Sequence, residues 1–89
     1  MKNQLSVGKM YLIMNIVVAT DHTCKSGTAR YHELWEQTPV VVLDENRLID
    51  FRGAVLGSAV TLLTSYGVVV SARFPVSSPF SYFFEKVVT

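Results

Sequence analysis

Two histidines and the single cysteine are the side chains of this sequence best suited to metal binding. His22 and Cys24 are separated by one residue, and His32 follows with two carboxylates, Glu33 and Glu36. Closed structural zinc sites use four ligands, commonly at paired spacings such as CxxC or HxxxH, and this chain has neither pair. We therefore expect a polar loop followed by a surface strand, with no metal and no cofactor.

The same residues are considered next as catalysts. Cys24 with His22 or His32 would supply a nucleophile and a general base, but the sequence shows no third orienting group and no oxyanion hole. The segment His32-Glu33-Leu34-Trp35-Glu36 departs from the HExxH motif of zinc proteases, because Glu36 replaces the second histidine. Phosphate-loop, dinucleotide-binding and nucleophile-elbow motifs are missing. We predict that the protein is not an enzyme.

The composition indicates one folded domain spanning residues 1–89. Hydrophobic residues make up 49% of the chain and charged residues 17%, a balance that disfavours disorder. The formal net charge is +1, which lacks the strongly basic character of most nucleic-acid-binding domains. As an alternative function, a small sheet could still stack bases on Tyr82, Phe84 or Trp35, with phosphates bound by three arginines: Arg30, Arg52 and Arg73.

The cysteine count and the apolar runs bear on location. One cysteine permits no intrachain disulfide, which favours the cytoplasm. Lys2 and Lys9 before an apolar stretch outline a secretory signal, but Asn15 interrupts that stretch. Residues 53–72 carry no charge and are long enough to cross a bilayer, so a membrane-associated subunit is a further alternative.

Valine, isoleucine and threonine together number 24, whereas alanine numbers five, which favours strands. We predict a central strand over 10–19, a strand over 29–38, a hairpin of 40–43 with 48–51, a strand over 68–74 and a last strand over 80–88. The predicted fold class is α+β: a twisted, mostly antiparallel sheet of five or six strands with one packed helix. A small barrel interrupted by the helix is the alternative.

The predicted helix covers residues 54–66. At 100° per residue its apolar side chains gather on one side, and small or weakly polar residues gather on the other. Gly67 follows at the position where a left-handed residue usually ends a helix. Short connections on either side suggest a right-handed β-α-β unit with parallel strands.

The other side of this predicted helix carries no charged residue, which is typical of a protein contact. An aromatic strand near the C-terminus adds apolar surface that one helix does not cover. We therefore predict a non-enzymatic protein-interaction module, an accessory, inhibitory or assembly subunit that forms a homo-oligomer; small chains of this kind include viral and phage proteins. The predicted contact residues are Gly57, Ser58, Thr61, Thr64, Ser65, Phe80, Tyr82 and Phe84.

Overall fold

The structure, a computed structural model, describes residues 5–21 and 30–87. Its seven strands are β1 (Met10–Ile13), β2 (Val17–Asp21), β3 (Tyr31–Leu34), β4 (Pro39–Ile49), β5 (Val55–Thr64), β6 (Val69–Pro75) and β7 (Phe84–Lys86). Within these residues the only helix is a single 3₁₀ turn, Phe80–Tyr82, which precedes β7. No helix in this part of the chain has the length and hydrophobicity needed to span a bilayer.

The strands form one antiparallel sheet in the order β3-β2-β6-β5-β4-β1-β7, curled into a half-barrel. Strands β4, β5 and β6 follow one another as a meander and make up its centre. β1 pairs with β4 over only three residues, Met10 to Leu12, whereas β4 has eleven residues. Most of β4 therefore extends past the end of its neighbour.

The core lies on the concave face of the sheet. Side chains alternate across a strand, so every second residue faces inward. Val60, Leu62 and Thr64 of β5 are buried in this way, and so are Val70, Ala72 and Phe74 of β6. Branched side chains suit this pleated surface, which is why the valine-rich segments form the central strands.

Aromatic rings close the concave face. The Phe74 ring in β6 lies 5.6 Å from Phe80 and 5.5 Å from Phe84, measured between ring centroids. Since β6 and β7 are separated by three strands in the sheet, this contact exists only because the sheet curls. The edge-to-face geometry is the one that aromatic quadrupoles prefer.

The predicted α+β class is wrong, because residues 55–64 are strand β5 and not a helix. In the sheet, β4 and β6 supply the backbone hydrogen bonds that a helix would have made internally. In this segment the extra residue at Leu56 shifts the register between β4 and β5 and interrupts the period of two. Gly67 does adopt a positive φ of 84°, but it does so in a hairpin turn.

Three further predicted elements need correction. The hairpin with residues 44–47 as its loop is wrong, because 39–49 form one continuous strand. The single strand over 10–19 is two strands, β1 and β2, in different parts of the sheet. The parallel β-α-β unit is replaced by the antiparallel meander.

The strand predicted over 68–74 is confirmed as β6, and the strand predicted over 29–38 is present as the shorter β3. The last predicted strand is confined to β7, after the 3₁₀ turn.

Candidate functional site

The turn between β4 and β5 is held by the side chain of Asp50. Its Oδ1 atom accepts hydrogen bonds from the backbone N–H groups of Arg52 (2.8 Å) and Ala54 (2.9 Å). Gly53 has a φ of 88°, and its N–H donates to the Asp50 carbonyl. These are the features of a three-residue hairpin loop with a left-handed glycine. Local hydrogen bonds therefore hold this loop, and none of its residues belongs to the hydrophobic core.

This turn carries apolar side chains into solvent. Phe51 is 92% exposed, Ile49 is 57% exposed and Leu56 is 56% exposed; Val55 is also exposed. The guanidinium carbon of Arg52 lies 5.3 Å from the centre of the Phe51 ring, so the ring has a cation on one face. We call Ile49, Phe51, Val55 and Leu56 the hairpin tip. Such a cluster of large exposed apolar residues is typical of a contact surface.

The strand that leads to the hairpin tip has one open side. Beyond Val42, β4 pairs with β5 alone, and residues 43–49 make no backbone hydrogen bond on the opposite side to any residue that the structure describes. We call these seven residues the free edge. Unpaired strand edges are sites where another chain can add a strand.

The residues predicted to form a helix face do not form one surface. Gly57 is buried, and a side chain there would collide with the carbonyl oxygen of Phe74 on β6. Thr64 is buried as well, and its hydroxyl bonds both the carbonyl (3.0 Å) and the N–H (3.1 Å) of Val68 in the next turn. Ser58 faces the concave side opposite Phe74, Thr61 faces the convex side, and Ser65 lies in the turn.

The predicted aromatic strand is divided in the same way. Phe80 and Phe84 are buried against Phe74, so they belong to the core. Tyr82 is exposed, and its ring packs edge-on against Phe83 at 4.9 Å. Of the three aromatic residues predicted to contact a partner, only Tyr82 offers substantial surface.

The residues considered for nucleic-acid binding are spread over the molecule. Arg52 lies in the β4–β5 turn, Arg73 lies on the convex face opposite Ala59, and Arg30 precedes β3. Trp35 is exposed in the turn after β3, whereas Phe84 is buried. The structure therefore does not place these arginines and aromatic rings on one continuous strip.

Arg73 does line a shallow cleft of about 560 Å³ where β2 and β6 diverge. The two strands pair only at Thr20–Ser71 and Asp21–Val70. Hydroxyl groups of Thr20, Tyr31 and Ser71 line the same cleft, together with Val18, Asp21 and Ala72. Asp21 and Arg73, which carry opposite charges, both line this cleft.

His32 lies beside this cleft on β3. Its Nε2 atom is 3.2 Å from Oδ2 of Asp21, and both side chains are largely buried. His22 and Cys24 lie outside the described residues. In residues 5–21 and 30–87, no three His, Cys, Asp or Glu side chains come close enough together to hold a metal ion.

The sequence pattern does not predict the hairpin tip, because it places the loop at residues 44–47. The sequence does contain a turn signal further along the chain, at residues 50–53, where Asp50 precedes Gly53 by three residues. With the turn at that place, Phe51 falls in a loop, where it has no core to join.

No family model matches the chain, and no curated protein or solved structure matches it either.

Proposed function

We propose that this chain is a non-enzymatic protein-interaction module that assembles with a second copy of itself through the outer half of the β4–β5 hairpin. The observation that carries the proposal is the 92% exposure of Phe51, within a tip that also exposes Ile49, Val55 and Leu56. Covering one such side chain stabilises a complex by about 2 kcal/mol.

A second copy is the favoured partner because apolar residues lie at both ends of the free edge. Ile49 and Phe51 lie at one end, and the exposed side chains of Leu43 and Val7 lie at the other. Val7 is brought there because the N–H of the adjacent Gly8 bonds to Val42. Under a two-fold axis, the tip of each copy meets the opposite end of the other copy, so both apolar ends are covered.

The test is the mass of the protein in solution over a wide concentration range, measured by sedimentation equilibrium. We expect a monomer–dimer equilibrium for the natural chain. Phe51→Ser should weaken dimerisation at least about tenfold, because it removes a large apolar side chain from each half of the interface. Tyr66→Ser is the matched control, since Tyr66 is an exposed aromatic residue (59%) in the other hairpin turn of the meander.

Any of three results would overturn the proposal. One is a chain that stays monomeric at millimolar concentration. Another is a monomer that instead binds vesicles of phosphatidylcholine and phosphatidylserine through Phe51, which would make the hairpin tip a membrane contact. Equal weakening by Phe51→Ser and Tyr66→Ser would also contradict it, because the effect would then not be specific to the tip.

The cytoplasm is the compartment we propose, on the basis of the single cysteine.

A further inference from the structure

The directions of the backbone groups in β4 can be read from its hydrogen bonds. The Val42 N–H donates to the Lys9 carbonyl (3.1 Å), and the Val42 carbonyl accepts from the Gly8 N–H (2.7 Å). Both backbone groups of Val42 therefore point away from β5. Because β4 bulges at Leu43, the alternation does not continue unchanged past that residue. The directions of the backbone groups beyond Leu43 follow instead from the β5 residues opposite them.

On β5, the even-numbered residues direct their backbone groups to β6. The Thr64 N–H donates to the Val68 carbonyl at one end, and the Leu56 carbonyl accepts from the Val76 N–H at the other. Hydrogen bonds alternate sides along a strand, so Ser58 and Val60 also bond towards β6. Glu45 lies opposite Val60, and Arg47 lies opposite Ser58. The backbone groups of Glu45 and Arg47 consequently point out of the free edge.

Glu45 and Arg47 also share one face of the sheet, because they are two residues apart. Neither side chain forms an ion pair with any residue in the described part of the chain. Charged residues on an edge usually prevent pairing with another chain. Here the two charges are opposite in sign and lie on either side of Asn46, so each can pair with the opposite charge on a second copy of the same edge.

When two copies of this edge pair in antiparallel orientation, only three registers near its middle place outward-pointing residues of one copy opposite those of the other. Two of them place like charges directly opposite, Glu45 against Glu45 or Arg47 against Arg47, and this destabilises a sheet. The third places Glu45 of each copy opposite Arg47 of the other, with Asn46 on the two-fold axis. Each of these two pairs exchanges two backbone hydrogen bonds and joins a carboxylate to a guanidinium.

We propose that two copies join β4 to β4 in this third register, so that each Glu45 pairs with Arg47 of the other copy. This inference rests on the proposed function and supplies its geometry. The pairing is limited to residues 43–49, because Lys9 and Gly8 already occupy the edge at Val42 and the turn begins at Asp50. Ile49 then lies opposite Leu43 of the other copy, and Phe51 lies beside the turn that contains Val7.

Charge reversal tests this register directly. Glu45→Arg alone places like charges opposite each other twice, and Arg47→Glu alone does the same, so each variant should raise the Kd of the homodimer at least about tenfold. An equimolar mixture of the two single variants should dimerise again, because their charges are complementary. The double variant Glu45→Arg/Arg47→Glu should also form a homodimer with a Kd within about threefold of the natural value.

Amide hydrogen exchange gives a second readout that does not depend on variants. The N–H groups of Glu45 and Arg47 should exchange more slowly as the protein concentration rises, whereas that of Asn46, which already faces β5, should change little. A dimer that is lost in Phe51→Ser but is indifferent to all the charge reversals would overturn the register and leave the proposed function standing. A natural chain that is monomeric at every concentration would overturn both.

Discussion

The inner and outer halves of the β4–β5 hairpin have the same strand pairing but opposite surroundings. In the inner half, Val40 lies between β5 and β1, Val42 lies between β5 and the turn before β1, and both belong to the core with Leu62. In the outer half, residues 43–49 pair with β5 on one side and with none of the described residues on the other, and large apolar side chains are exposed at the tip. The difference shows that pairing with one neighbour is enough to form a strand, whereas burial of its side chains depends on what the curled sheet brings against them.

The largest expected effect comes from making the same substitution in both halves. Leu62→Ala should lower the free energy of unfolding by about 2–5 kcal/mol, because Leu62 is fully buried and its removal leaves a cavity. Leu56→Ala should cost less than about 0.5 kcal/mol in the monomer, since that side chain is exposed. Urea unfolding of both variants at a concentration where the protein is monomeric measures the two values. Equal losses would contradict the contrast between the halves.

A smaller effect is expected at Gly57, where the outer half of the hairpin packs closely against β6. Gly57→Ala should cost about 1–3 kcal/mol, because the added Cβ would collide with the backbone of Phe74 and push β5 from β6. Ser58→Ala, one residue on, is the control, and it should change stability by less than about 0.5 kcal/mol. Thermal unfolding followed by circular dichroism compares them. A neutral Gly57→Ala would mean that β5 and β6 are less close than the structure has them.

The smallest effect concerns the turn that carries Phe51. Asp50→Ala should cost about 1 kcal/mol, because two backbone N–H groups lose their acceptor. Asp44→Ala serves as the control and should be nearly neutral, since the hydrogen bond that Asp44 accepts within the described part of the chain is an exposed one from the Asn46 side chain. Chemical denaturation measures both. If Asp50→Ala were also neutral, the tip would owe its order to something other than this side chain.

The tertiary neighbours explain where prediction from sequence failed. Residues 54–66 sort well on a helical projection, but Val55, Val60, Thr61 and Thr64 are branched at Cβ and Gly57 is a poor helix former. Because β4 and β6 lie on either side and supply backbone hydrogen bonds, residues 55–64 form a strand and not a helix. The bulges at Leu43 and Leu56 depend on contacts with the opposing strand, so no local pattern announces them.

By itself, the sequence determined that this chain is rich in strands, because residues branched at Cβ far outnumber alanine. It also determined that residue 67 takes a left-handed conformation, since glycine adopts it without steric cost. Only the tertiary structure decided that Phe80 and Phe84 are core and that Phe51 is solvent-exposed, because burial depends on how the sheet curls. The same holds for the free edge, because among the described residues β1 pairs with β4 only as far as Val41, and Glu45 and Arg47 lie beyond that point.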